Sequence, residues 1–180
     1  MEKKEMVRQG YNRVAEKIQE VIGLEREGLD EIEPFYEFLS QIPLGGQILD
    51  AGCGNGSYSR YLSEKYKLIG VDISEKQVEL AKQNVPKAKF ICKDMIKLDF
   101  PDEFFDGILS YYAIIHVPRD EQYDLLKNFY RMLKINGVCL LNFHSNDDPE
   151  SYVEDFFDCG LPMYWSGFDK EFSIKMLRNI

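Results

Sequence analysis

The stretch Ile48-Leu-Asp-Ala-Gly-Cys-Gly-Asn-Gly-Ser57 decides how the chain is read. Gln47 to Ala51 has the length and apolar content of a short strand. Gly52, Gly54 and Gly56 follow it, and a helical pattern runs from Gly56 to Lys65. Glycine lets the backbone turn tightly and come close to a ligand. A strand, a glycine turn and a helix open a parallel sheet whose ligands sit beyond the carboxyl ends of the strands. A tight turn with no ligand would use the same triplet. Two details point to a cationic ligand. Asp50 ends the strand just before the glycines, where its charge repels a phosphate and attracts an ammonium or sulfonium group. The G-x-G-x-G spacing also differs from the G-x-G-x-x-G of dinucleotide folds.

Working outward, strands and helices alternate. Lys67 to Asp72 reads as a strand, and Ser74 caps a helix through about Asn84, with Gln77 placed as in a capping box. Ala88 to Lys93, Phe104 to Tyr111 and Val138 to Phe143 read as further strands. A helix from Arg119 to Leu133 is stopped by Asn136-Gly137. Asn146 to Glu150 is a polar loop, and Asp169 to Asn179 a last helix. Toward the N-terminus, Tyr11, Val14, Ile18, Val21 and Ile22 form one apolar helix face before Gly23 and Gly28 interrupt. A second helix runs from about Asp30 to Gln41, with Pro34 in its first turn and Pro43 after its end. The class is α/β: a doubly wound, mostly parallel sheet of about five strands with helices on both faces. One domain spans 1–180, with a helical cap over 1–45, a binding core over 46–143, and a lid or substrate region with the last helix over 144–180.

Three more strand tips carry suitable groups. Asp72 ends the second strand, where a carboxylate accepts both ribose hydroxyls, and Ile73 packs on a base. The alternative for Asp72 is a helix cap, but Ser74 is better placed for that. Asp94 and Met95 follow the third strand; the carboxylate accepts an exocyclic amine and the Met95 amide donates to a ring nitrogen. A solvated loop aspartate is the alternative there. Ser110, Tyr111, Tyr112 and His116 follow the fourth strand and wall the site, unless they are core aromatics and a satisfied buried histidine. Aromatic faces would favour a sulfonium.

These four segments, in this order, resemble the class I S-adenosylmethionine-dependent methyltransferases, in particular the small-molecule branch that includes ubiquinone/menaquinone-type enzymes. The resemblance spans Tyr11 to Phe143 and implies a Rossmann-like fold with S-adenosylmethionine as methyl donor. It implies that Gly52 and Gly54, with Cys53 between them, line the methionine part, Asp72 the ribose, and Asp94 and Met95 the adenine. Tyr11 in Tyr11-Asn-Arg-Val-Ala15 matches a tyrosine that covers the methionine carboxylate in several relatives. His116 and Tyr112 are the candidates to act near the transferred methyl. The family usually adds an antiparallel hairpin after the last helix. Here the sequence stops at Ile180, so the hairpin is expected to be missing, and strand 138–143 becomes an edge through which a homodimer could form.

Composition narrows the alternatives. The chain has 180 residues, 44% of them hydrophobic and 29% charged, the balance of a globular domain. Its net charge of −9, without a long basic run, makes it a poor candidate for binding nucleic acid. No apolar run is long enough for a membrane span, and the charged start lacks a signal peptide's apolar stretch. Cys53, Cys92, Cys139 and Cys159 form no C-x-x-C pair, so no metal is expected and the thiols are those of a cytoplasmic protein. The Asp158 to Asp169 segment either offers Met163, Tyr164, Trp165 and Phe168 as a wall for a small-molecule acceptor or folds back on the core. A non-catalytic cofactor-binding domain and a nicotinamide-dependent oxidoreductase are the competing functions. Asp50 and the glycine spacing argue against the second.

Overall fold

The computed structural model describes residues 2–22, 33–144 and 146–180. In chain order its elements are helices α1 (Lys3–Ile22) and α2 (Glu33–Ser40), strand β1 (Gln47–Ala51), α3 (Ser57–Leu62), β2 (Lys67–Asp72), α4 (Glu75–Asn84), β3 (Lys89–Cys92), β4 (Phe105–Ser110), α5 (Arg119–Met132), β5 (Leu133–Leu141), β6 (Asp148–Val153), β7 (Met163–Gly167) and α6 (Lys170–Arg178). The parallel sheet has the order β3-β2-β1-β4-β5. The chain moves outward from β1 to β3, then returns to pair β4 on the other side of β1. The switch in strand order therefore lies between β1 and β4, where an open α/β sheet leaves a crevice.

The period-2 side-chain alternation of the strands explains the two covered faces. Leu49, Ala51, Ile69, Val71 and Ile108 point to one side and pack with Leu125, Leu126, Phe129 and Met132 of α5. Ile48, Leu68 and Leu109 point to the other and meet Phe35 and Phe38 of α2 and Tyr58 and Leu62 of α3. A third cluster joins Val7, Val14 and Ile18 of α1 to Met163 and Tyr164 of β7. That cluster seats α1 across the crevice end of the sheet.

The five-stranded doubly wound architecture is the one expected, and several details differ from expectation. Val21 is 66% exposed, so the apolar face of α1 ends at Ile18. The side chain of Ile22, Gly23, Gly28 and the expected helix start at Asp30 lie outside the described residues. Helix α5 ends at Met132, before the Asn136-Gly137 step. Leu133 turns extended and pairs with Phe105, while the next pair on that ladder is Gly107 with Val138. The intervening β5 residues bulge out, with Asn136 at φ 66°. The strand thus starts five residues earlier than expected and ends at Leu141. The expected polar loop 146–150 is half strand. From Asp148 it forms β6, which pairs antiparallel with β7 in a separate two-stranded sheet. This hairpin does not join the main sheet, whose outer strand on that side is β5.

Candidate active site

The glycine turn is held from below. Gly52 N–H and Cys53 N–H both donate to the Val71 carbonyl, at 2.7 and 3.0 Å. Gly54 N–H donates to Asp72 Oδ2 at 2.9 Å. Gly52, Gly54 and Gly56 all have positive φ, at 88°, 53° and 85°, a region that side chains disfavour. Gly52 also packs face to face with Ala113, so the turn is shaped by conformation and by space together.

Above this turn lies a cavity of about 420 Å³, within the roughly 300–1,000 Å³ of small-molecule sites. Its walls follow the strand order. At the β2–β3 end are Asp72, Ile73, Lys93 and Met95. Gly52, Cys53 and Gly54 form the middle. Tyr111, Tyr112 and His116 form the β4 end, with Phe156, Phe157 and Trp165 from the segment 156–165. Helix α1 contributes Lys4, Val7, Tyr11 and Ile18, one helical face.

Three expected residues sit next to the cavity instead of on its wall. Asp50 is 2% exposed and accepts the Ser59 hydroxyl at 2.6 Å. Its charge acts through the turn, not by contact. Ser110 is fully buried and donates to the Ala51 carbonyl at 2.8 Å, stitching β4 to β1. Asp94 caps the turn Met95–Lys97 through Ile96 N–H and takes Lys4 Nζ on its other oxygen at 2.8 Å. Lys4 also pairs with Glu121.

Asp72 does more than was expected of it. Besides Gly54 N–H on Oδ2, its Oδ1 accepts Ser74 N–H at 2.9 Å. Ser74 Oγ accepts Gln77 N–H at 3.1 Å, as a cap should, and donates to Asn12 Oδ1 of α1 at 2.7 Å. The second half of the capping box is missing, because Asp72 has taken the amide that Gln77 would reach. Gln77 is 2% exposed, lines the cavity beside Gly54, and its Oε1 has no hydrogen-bond partner among the described residues. A buried carbonyl in that condition costs about 1–3 kcal/mol. Burial raises the Asp72 pKa, against the backbone amides that lower it. Burial pushes the Cys53 thiol up most, and the charges of Asp72 and Asp50 push it further. The turn therefore lies in a negative field, which favours a cation and opposes a pyrophosphate.

His116 has one defined tautomer. Nδ1 lies 2.8 Å from the Tyr164 carbonyl, which can only accept, so Nδ1 carries the proton. Nε2 then bears the lone pair and accepts the Tyr11 hydroxyl at 2.8 Å. Burial lowers the imidazole pKa to about 4, with the Tyr164 hydrogen bond opposing. The ring is neutral at pH 7 and stands 4.3 Å from Trp165, centroid to centroid.

Of the four aromatic-segment candidates, only Trp165 reaches the cavity. Met163 and Tyr164 are fully buried under α1, and Phe168 stacks on Phe172 beneath Arg119. Phe156 and Phe157 line it instead. Their signal in the sequence is a pair of adjacent aromatics inside the acidic run Glu154-Asp-Phe-Phe-Asp158. Lys4 and Gln77 carried no motif that marks them as cavity residues.

Comparison with known proteins agrees with this geometry. Residues 48–137 match the family model described as Methyltransferase domain. Phosphoethanolamine N-methyltransferase of Plasmodium falciparum is 30% identical over 132 residues, which are 69% of this chain and 50% of that protein. The 2-methyl-6-phytyl-1,4-hydroquinone methyltransferase of Synechocystis is 34% identical over 116 residues, 61% of this chain and 36% of that protein. These matches span half or less of those relatives' own length. The crystal structure of a TehB-like S-adenosylmethionine-dependent methyltransferase from Corynebacterium glutamicum superposes with a TM-score of 0.60 at 25% identity, covering 72% of this chain and 70% of that one. With the matched region holding the glycine turn, Asp72, Asp94 and the β4 wall, the chain belongs to the S-adenosylmethionine-dependent methyltransferase family.

Proposed function

We propose that the cavity binds S-adenosylmethionine at its β1–β3 end and a small-molecule acceptor at its β4 end, and that the chain transfers the methyl group between them. The observation that carries this reading is the glycine turn held on Asp72 in a negative field, opening directly onto the cavity. When bound, S-adenosylmethionine supplies a methyl group on a cationic sulfur, already a strong electrophile. The protein's task is then to orient, to exclude water and to hold protons, and positioning of that kind supplies roughly 7–11 kcal/mol.

Gly52 and Gly54 leave room for close backbone approach, and Asp72 and Gln77 offer acceptors for hydroxyl groups. Ile73 and Met95 provide apolar surfaces for a base. Asp94 offers its carboxylate to an amine in exchange for Lys4, and Tyr11 offers its hydroxyl to a carboxylate in exchange for His116 Nε2. At the other end, His116 Nε2, once released by Tyr11, receives a proton from the acceptor. It is a weak base, but a freshly methylated hydroxyl is a far stronger acid, so a weak base is enough. Tyr112 borders the same space. The free thiols Cys53, Cys92, Cys139 and Cys159 fit a reducing compartment such as the cytoplasm. Among the described residues no helix is long and apolar enough to cross a membrane.

Isothermal titration with S-adenosylhomocysteine tests the reading. The wild-type protein is expected to bind it, and Asp72→Asn to bind at least tenfold more weakly. Gln77→Leu separates binding from structure. Removing a buried, unpartnered carbonyl should leave the melting temperature unchanged or raised. The loss of one hydroxyl acceptor, about 0.5–1.5 kcal/mol, should weaken affinity roughly two- to thirteenfold. No binding by the wild-type protein would refute the proposal.

A further inference from the structure

The two ends of the cavity differ in kind. Its charged lining residues are Lys4, Asp72 and Lys93, and all three sit at the β2–β3 end or over it. Neither cation there is unengaged: Lys4 pairs with Asp94 and Glu121, and Lys93 with Asp99 at 2.7 Å. The end formed by β4 and the segment 156–165 is lined by Tyr111, Tyr112, Phe156, Phe157, Trp165 and the neutral His116. A phosphate- or carboxylate-bearing acceptor placed there would lose its hydration and gain no counter-charge from the wall; Lys17, which holds the Phe157 carbonyl, is not on it and is paired with Asp158.

Two of these rings are held out at the cavity in a costly backbone conformation. Tyr112 and Phe157 both have φ 54°, where a bulky side chain is disfavoured, and both stay substantially exposed, at 53% and 37%. Each is fixed by a bond to another element. Asn142 Oδ1 accepts Tyr112 N–H at 2.7 Å, and Lys17 Nζ donates to the Phe157 carbonyl at 2.6 Å. Two aromatic rings from separate segments, strained and pinned beside one uncharged chamber, offer faces on which a flat ring can stack. Polar groups beside them are the His116 Nε2 lone pair, which accepts the Tyr11 hydroxyl, and the buried Trp165 Nε1–H, which has no hydrogen-bond partner among the described residues.

We infer that the acceptor is an uncharged, hydroxyl-bearing aromatic small molecule whose ring stacks on Tyr112, Phe157 and Trp165 and whose hydroxyl takes the place of Tyr11 on His116 Nε2. This rests on the methyltransferase reading above.

The test uses a matched pair of probes, 2-naphthol and 2-naphthyl phosphate, titrated into protein saturated with S-adenosylhomocysteine. The ring is the same and only the charge differs. 2-Naphthol is expected to bind at least tenfold more tightly than its phosphate. Isothermal titration calorimetry reads both affinities. Tyr112→Asn and Phe157→Asn keep a residue that tolerates positive φ and remove the ring. Each should weaken 2-naphthol at least fivefold, with S-adenosylhomocysteine affinity within twofold of wild type. If S-adenosylhomocysteine binds but 2-naphthol does not, or its phosphate binds equally well, or both variants keep wild-type 2-naphthol affinity, the aromatic acceptor is refuted and the methyltransferase reading stands. If S-adenosylhomocysteine itself does not bind, the methyltransferase reading fails and the acceptor inference falls with it.

Discussion

Gly52→Ala is expected to lower the melting temperature by roughly 10 °C and to abolish measurable S-adenosylhomocysteine binding. Two costs combine. A residue with a Cβ at φ 88° carries about 1–2 kcal/mol of strain. The added Cβ would also lie 2.1 Å from the Cβ of Ala113 and 3.6 Å from its Cα. That neighbour is the backbone-bound methyl of the segment after β4, not the end of a flexible side chain, so β1 and β4 must part at their tips. Overpacking of this kind costs about 1–3 kcal/mol. For a chain of this size each kcal/mol moves the midpoint roughly 2–4 °C. Gly54→Ala is the control. Its Cβ would meet only Gln77 Oε1 at 3.9 Å, so it carries the conformational cost alone and should lose about half as much. Differential scanning calorimetry and titration of the two variants check the expectation. Equal melting temperatures would show that the Gly52–Ala113 approach has no role.

The second large effect concerns acid stability. His116 is buried as a neutral ring with a pKa of about 4, against 6.5 when exposed in the unfolded chain. Because the folded value is the lower one, the unfolded state binds more protons between those two pH values. The stabilisation is fully present above pH 6.5 and is lost as the pH falls toward 4. At pH 4.5 the loss integrates to about 2.5 kcal/mol. His116→Gln is the matched variant. A glutamine offers a donor for the Tyr164 carbonyl and an acceptor for Tyr11, but it does not titrate. Wild type and variant should melt close together at pH 7.5. At pH 4.5 the wild type should have lost roughly 5–10 °C more than the variant, since every other titrating group is common to both. Parallel melting curves at both pH values would mean that the ring is protonated or solvated in the folded protein.

The legible parts of this chain were those where local chemistry and global fold agree. β1 and β2 run over the residues that Gln47 to Ala51 and Lys67 to Asp72 announced, because apolar strands bounded by glycine or a cap leave little choice. Ser74 capped α4 for the same reason. The misreadings arose where tertiary pairing overrode a local signal. Asn136-Gly137 is a good helix stop, yet Leu133 had already left the helix to pair with Phe105. β6, read as a loop from its Asp-Pro-Glu start, is a strand because β7 lies beside it and is itself clamped by α1. In the site, residue types were readable but their partners were not. Nothing in the order of residues says that Lys4 would reach Asp94, 90 positions away, or that Asp72 would take the amide meant for Gln77. Phe156 and Phe157 were missed because a turn, not a periodic element, aims them.

Helix α1 bears on the chamber in one further way. It supplies a wall of the cavity and also Tyr11, the partner of the His116 lone pair. Lys4 on Asp94 and Glu121, and Arg8 and Asn12 on Glu75, moor it on the strand-tip side of the crevice, while Lys3 on Glu150 and Lys17 on the Phe157 carbonyl moor it to the segment after β5. Swinging this helix aside to let a spent nucleoside depart would pull Tyr11 off the imidazole in the same stroke. Emptying the chamber and uncovering that lone pair to bulk water are then one mechanical event.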